Sequence, residues 1–246
     1  MNCDNFTKNN FLAALPADEF ERLRPNLEAV SLQFGEVLYK PGMPIQYLYF
    51  PVDCVVCLLH EKENGSNEEI AITGNEGVVG LDLMMAGISS FNLAIVGTTG
   101  TAYRLKCETV IRDFSFNSPL KILLLRYTQV IITQMMHTGM CKRRHSLEQQ
   151  LCRWIVSSLD RMPSMQLLSS QKLIAEIMGA DTESVNEVTQ KLQRLGLIYC
   201  QNKMFSIINR SGLESLSCNC YRRIKDESEM WLAYKIQTSV PQMTAH

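Results

Sequence analysis

Between Ser169 and Leu197 the apolar positions fall into two short helical stripes separated by a glycine. Leu173, Ile174, Ile177 and Met178 recur at helical spacing, which puts them on one face. Gly179 follows, where a helix ends most easily because glycine enters the left-handed region cheaply. Asp181 and Thr182 can cap a second helix, with Glu183 and Glu187 near its positive end. Val185, Val188, Leu192 and Leu195 form its buried stripe, and Gly196 stops it. The pattern predicts a helix-turn-helix, whose second helix is presented to the DNA major groove. Leu197–Cys200 and Met204–Ile208, joined by Gln201-Asn202-Lys203, then read as a β-hairpin wing with Lys203 at its tip.

Upstream the periodicity changes twice. Residues 10–27 carry Phe11, Leu12, Leu15, Phe20, Leu23 and Leu27 at mostly helical spacing. From Val30 to Phe114, seven short apolar or alternating runs are separated by breakers such as Pro41-Gly42, Asn64-Gly65, Gly74-Asn75 and Gly97. They are 30–32, 36–39, 47–50, 54–59, 69–72, 93–96 and 101–105, and they predict a β-sandwich or barrel. Pro119 to His145 is one long helical stretch. Leu120, Leu124, Tyr127, Ile131, Gln134 and Thr138 alternate at spacings of four and three. Leu123, Val130, Ile132, Met135 and Met136 give it a second apolar face. Such a helix either packs one face on its own domain and the other on a partner chain, or is simply buried. Further helices are expected over 146–161 and 212–234.

A chain of 246 residues with 46% hydrophobic and 20% charged residues suits a globular protein of one large or two small domains. No apolar run is long enough to span a bilayer, and the polar start MNCDNFTKNN does not read as a signal peptide. A cytoplasmic location without a membrane partner is therefore expected. Nine cysteines in no disulfide framework fit a reducing compartment. The net charge of −1 hides a division along the chain. Residues 1–140 hold 10 Lys/Arg against 15 Asp/Glu, whereas residues 141–225 hold 13 against 7. A basic C-terminal half suits a phosphate-contacting domain.

A β-roll, a long helix and a winged helix-turn-helix, in that order, resemble the Crp/Fnr family of bacterial transcription regulators. The likeness covers roughly residues 10–215. It is most specific at Phe34–Gly42, which looks like the strand-turn motif opening the family's roll, and at Gly179–Val185, which matches its turn and recognition helix. His145–Trp154 also resembles a helix of one subgroup. The implied architecture is α+β. A roll with its leading helices spans 1–116, a dimerisation helix 117–145, a winged helix-turn-helix 146–216 and a helical tail 217–246. Leu120, Leu124, Tyr127, Ile131, Gln134 and Thr138 are the expected dimer contacts. The resemblance implies a homodimer on a two-fold-related double-stranded DNA site, with RNA polymerase as a further partner.

The candidate DNA contacts are Thr182, Glu183, Ser184, Asn186 and Glu187 on the recognition helix, Ser169, Ser170 and Gln171 before it, and Lys203 on the wing. By resemblance, Glu183 accepts from cytosine N4, and Asn186 can pair with adenine. Thr189 and Gln190 lie further along the helix. Where cyclic-AMP-responsive relatives have a Gly-Glu pair and an Arg-Ser/Thr-Ala run, this chain has Gly80-Leu81 and Asn92-Leu93-Ala94. Leu81 offers no acceptor to a ribose, and Asn92 no charge to a phosphate. Cyclic AMP is therefore not expected to bind, and no other effector can be named.

No cofactor, metal site or catalytic motif is expected. Cys54 and Cys57 read as core residues on opposite faces of a strand, and Cys218-x-Cys220 supplies only two ligands. His60 reads as a solvated loop residue and Asp160-Arg161 as a helix-end pair. Two alternatives stay open: a degenerate member acting through protein partners, and a redox or small-molecule sensor with weak DNA binding.

Overall fold

The computed structural model describes residues 6–63, 65–82, 89–112, 118–168, 170–201 and 204–233. Two short helices, α1 (Asn10–Ala13) and α2 (Ala17–Leu23), lead into seven strands. These are β1 (Glu28–Leu32), β2 (Val37–Tyr39), β3 (Tyr47–Pro51), β4 (Val56–Glu61), β5 (Asn67–Thr73), β6 (Leu93–Val96) and β7 (Gly100–Lys106). All seven predicted runs are strands. They form two antiparallel sheets, ordered β1-β7-β3 and β2-β6-β4-β5. His60 is exposed as expected but lies in β4, opposite Glu68, rather than in a loop.

Cys54 to Leu59 is apolar throughout because both faces of the second sheet are covered. Cys54, Val56 and Leu58 point into the roll with Ala71, Ala94 and Val96. Val55, Cys57 and Leu59, with Ile72 and Ile95, point outward to a helix that follows much later. The two cysteines thus lie on opposite faces. Burial pushes the Cys54 thiol up to about 12 and raises that of Cys57.

After α3 (Cys107–Arg112) comes the long helix α4 (Pro119–Arg144). Ser118 caps it by accepting from the Lys121 N–H at 3.2 Å, with Pro119 at its first position. Lys142, Arg143 and Arg144 occupy its last turn, where the dipole favours cations. Helix α5 (Leu147–Leu159) begins with a capping box between Ser146 and Gln149. Its apolar side, including Leu151, Trp154 and Ile155, packs on the outer face of the second sheet. Two buried ion pairs bind this layer to the roll: Arg153 to Glu69 at 3.1 Å and Arg161 to Glu76 at 2.9 Å. Arg161 therefore pairs with the roll, while Asp160 pairs with Arg210; Asp160-Arg161 is not a helix-end pair.

Helices α6 (Gln171–Met178) and α7 (Thr182–Arg194) follow β8 (Gln166–Leu168), and β9 (Ile198–Gln201) and β10 (Met204–Ile207) form the wing. Strand β8, which the sequence pattern did not predict, makes the wing a three-stranded sheet ordered β8-β10-β9. The expected last helix is two: α8 (Arg210–Leu216) and α9 (Cys220–Ala233). Between them Ser217 adopts extended backbone (φ −71°, ψ 160°), and this break sets the direction of α9.

Packing against the roll and against α9 leaves the expected dimer stripe covered within the chain. Helix α9 packs along α4, with Trp231 against Phe11 and Tyr127 at centroid distances of 5.7 Å each. Leu120, Leu124, Tyr127 and Ile131 join the core of the roll, and Gln134 and Thr138 are buried too, so all six are covered within the chain. Of the second predicted face, Leu123 and Val130 are buried too. What stays open is a narrower stripe: Leu125 (57% exposed), Ile132 (40%), Met136 (58%) and Met140 (47%).

Candidate functional site

Helix α6 forms as its apolar periodicity requires, with Leu173, Ile174, Ile177 and Met178 all buried. Ser170 caps it by accepting from the Leu173 N–H at 3.1 Å. Gly179 closes it in the left-handed region (φ 65°, ψ 32°). Asp181 then caps α7, accepting from the Ser184 N–H and hydroxyl, both at 2.8 Å. Those two bonds hold its carboxyl below the usual carboxylate range.

Val185 and Leu192 anchor α7 to the core and Val188 is half-buried. Leu195 is 54% exposed, because the helix ends at Arg194 before the stripe comes round again. Thr189 is buried instead, its hydroxyl donating to the Val185 carbonyl at 2.8 Å, so it faces away from any ligand.

Thr182, Glu183 and Glu187 project from the first two turns of α7 into solvent. Ser184 is half-buried with its hydroxyl engaged by Asp181. Asn186 is half-buried, its amide oxygen accepting from Gln171 Nε2 at 2.9 Å. That bond ties the start of α6 to α7 and fixes both side chains. Ser169 and Lys203 lie outside the described residues. Gln190, Lys191 and Arg194 extend the exposed face; Lys191 pairs with Glu148. Gln190 and Arg194 follow from Glu183 and Glu187 at steps of three and four, so helical periodicity alone identifies them. The arrangement is an exposed helix face, acidic at its N-terminal end and basic at its C-terminal end, braced from behind by α6.

A second site lies between the roll and α4. A cavity of about 390 Å³ is lined by Tyr39, Gly80, Leu81, Asp82, Phe91, Asn92, Ile131 and Met135, among others. Of the five residues that the resemblance placed at an effector pocket, Gly80, Leu81 and Asn92 line this cavity. Leu93 and Ala94 do not: Leu93 packs toward α5, and Ala94 is buried in the roll. Among the described residues no Lys or Arg lines the cavity. Its one carboxylate, Asp82, accepts from the Ser90 hydroxyl. Burial, with Asp82 nearby, raises the Tyr39 hydroxyl well above its ordinary range. The walls suit an apolar, uncharged body and oppose a phosphate.

The fold also collects a group that sequence spacing could not: Cys141 and His145 at the end of α4 meet Cys218 and Cys220.

Residues 149–216 match the family model of the Crp-like helix-turn-helix domain. This chain carries a Crp-like helix-turn-helix. No curated protein matches the chain. Among solved structures, it resembles FixK2 from Bradyrhizobium japonicum (TM-score 0.65, 16% identity, covering 78% of this chain and 98% of that one). It also resembles TTHB099, a CRP-family transcriptional regulator from Thermus thermophilus (0.63, 16%, 76% and 96%). A third is CLP, a c-di-GMP-responsive global regulator from Xanthomonas campestris (0.60, 16%, 78% and 99%). At these identities the likeness is one of fold, and it takes in the roll and long helix as well as the helix-turn-helix. Among the described residues no helix is long and apolar enough to cross a membrane.

Proposed function

We propose that the chain is a cytoplasmic, homodimeric transcription regulator that reads a two-fold-related DNA site through α7. One observation carries this reading: Thr182, Glu183 and Glu187 stand free on a helix held from behind by α6. Glu183 accepts from a cytosine amino group, and Lys191 and Arg194 meet the backbone further along. Ser170 and its neighbours at the start of α6 offer hydroxyl and N–H donors to phosphate. The open stripe Leu125, Ile132, Met136 and Met140 pairs α4 with its copy, placing two recognition helices about one turn of duplex apart, roughly 34 Å. The roll supplies an effector pocket that does not take cyclic AMP, and RNA polymerase is the partner through which the bound dimer acts.

A second reading has the same fold acting through protein partners. It is favoured by Glu183 and Glu187, which place two carboxylates on the exposed start of α7. Binding to random duplex DNA across a salt titration separates the two. A steep fall in affinity with salt marks phosphate neutralisation and supports the first reading. No retention even at low salt supports the second.

A further inference from the structure

Cys141 stands in the last turn of α4, and His145, four residues on, ends the helix with its N–H donating to the Cys141 carbonyl at 2.9 Å. The break between α8 and α9 brings Cys218 and Cys220 to this end of α4 from 77 residues away. Cys141 Sγ lies 3.3 Å from Cys218 Sγ, and Cys220 Sγ lies 3.8 Å from His145 Nδ1. All four potential ligand atoms fall within 4.8 Å of one another. The three cysteines are buried and His145 is half-buried, so the group is closed to substrate but open to an ion at one edge.

We propose that Cys141, His145, Cys218 and Cys220 bind one tetrahedral zinc ion. Three thiolates and an imidazole are a soft donor set of the kind that selects Zn²⁺. Around an ion with Zn–S bonds of ~2.3 Å, ligand sulfurs sit about 3.8 Å apart, a small adjustment from the present spacing. An iron–sulfur cluster would need its ligands spread more widely. Four protein ligands leave no open position, so the ion is structural and activates no water.

Arg153 supplies a buried positive charge near the sulfurs. It is buried, it lies within electrostatic reach of Cys141, Cys218 and Cys220, and its Nε and Nη1 have no hydrogen-bond partner. Glu69 occupies only its Nη2. Binding Zn²⁺ releases three thiol protons and leaves a site of net charge −1, which this guanidinium faces.

The ion would fasten α9 to the junction where α4 ends and α5 begins. His145 is the capping residue of α4, and its carbonyl accepts from Gln150 Nε2 at 2.9 Å. Metal binding at this site requires no DNA.

The test uses untagged full-length protein purified under reducing conditions. Elemental analysis should find about one zinc per chain. After removal with a chelator, Co²⁺ should give the intense visible bands of a tetrahedral ion and a near-ultraviolet thiolate charge-transfer band, both abolished by one equivalent of Zn²⁺. Cys218→Ser should cut the charge-transfer band by about a third and weaken metal affinity at least tenfold, whereas Cys200→Ser, outside the group, should change neither. The wild-type cobalt spectrum stands even if Cys218→Ser fails to fold. A weak octahedral spectrum, protein that binds no metal tightly, iron accompanied by labile sulfide, or a Cys141–Cys218 disulfide would each overturn the proposal.

Discussion

Arg161 donates from Nε to Glu76 Oε1 at 2.9 Å, with both side chains buried between the roll and the end of α5. The Tyr127 hydroxyl also donates to Glu76 Oε1, at 3.2 Å, and the Glu76 carbonyl accepts from Trp231 Nε1. One acidic residue thus links the roll, α4, α5 and α9. Nearby, a Cβ at Gly77 would overlap the Tyr127 ring, so this turn admits no side chain there.

Removing one partner leaves a buried, uncompensated charge. Glu76→Ala should lower unfolding stability by about 3–5 kcal/mol, measured by denaturant titration. Glu76→Gln, which keeps an acceptor, should lose less. Equal losses in both variants would mean that the charge carries the whole effect and that the volume and acceptor kept by glutamine add nothing.

The open stripe of α4 predicts how the chain pairs. Ile132→Glu and Met136→Glu should each convert a dimer to a monomer in analytical ultracentrifugation, with little effect on folding because both positions are exposed. A wild-type monomer, or variants that keep the dimer mass, would remove this face as the interface.

Asp181 gives a pH dependence with a definite sign. Its native pKa lies below the ordinary value of 3.8, so the stability it adds is present above that value and disappears as pH falls through the native one. Asp181→Asn caps the helix without a charge. Wild type should exceed it in stability above about pH 5, and the gap should close on acidification. A gap that is constant across this range would mean that the carboxylate's charge is not what matters.

Much of this was legible in the sequence, for reasons that can be named. The seven strands were visible because breakers such as Pro41-Gly42 and Gly97 separate runs too short to be helices. The helix-turn-helix was visible because Gly179 and Asp181 stop one helix and start the next within three residues. What escaped depended on contacts distant in sequence. Strand β8 exists because β10 pairs with it, with Leu167 opposite Phe205. Periodicity gave α4 two apolar faces but could not say that the roll and α9 between them would cover the one carrying Tyr127. The break at Ser217 contains neither glycine nor proline, so the approach of Cys218 and Cys220 to Cys141 left no local trace. Of the candidate DNA contacts, periodicity identified the exposed carboxylates. It could not foresee that Asp181 would engage Ser184 and Gln171 would engage Asn186.

The cavity beneath Leu81 and Asn92 makes a direct prediction for ligands. Burying a phosphate beside Asp82, with no Lys or Arg among the described residues of the lining, is unfavourable. Calorimetry should detect no saturable micromolar binding of cyclic AMP. Saturable binding in that range would show that the pocket rearranges to supply a charge the present geometry lacks.

Glu183 is expected to choose a base. Glu183→Ala should reduce discrimination at one base pair of each half-site by about 1–3 kcal/mol while leaving the salt dependence of binding unchanged. Uniform weakening on every sequence would make it a helix-end charge and nothing more.

The central claim is that two copies of α7 enter one duplex. Selection of bound sequences from a random duplex pool tests it most directly. Enrichment of a two-fold-related sequence is expected, with half-sites about one helical turn, roughly 34 Å, apart. A bound pool no different from the input, or a single half-site without its symmetric mate, would contradict it.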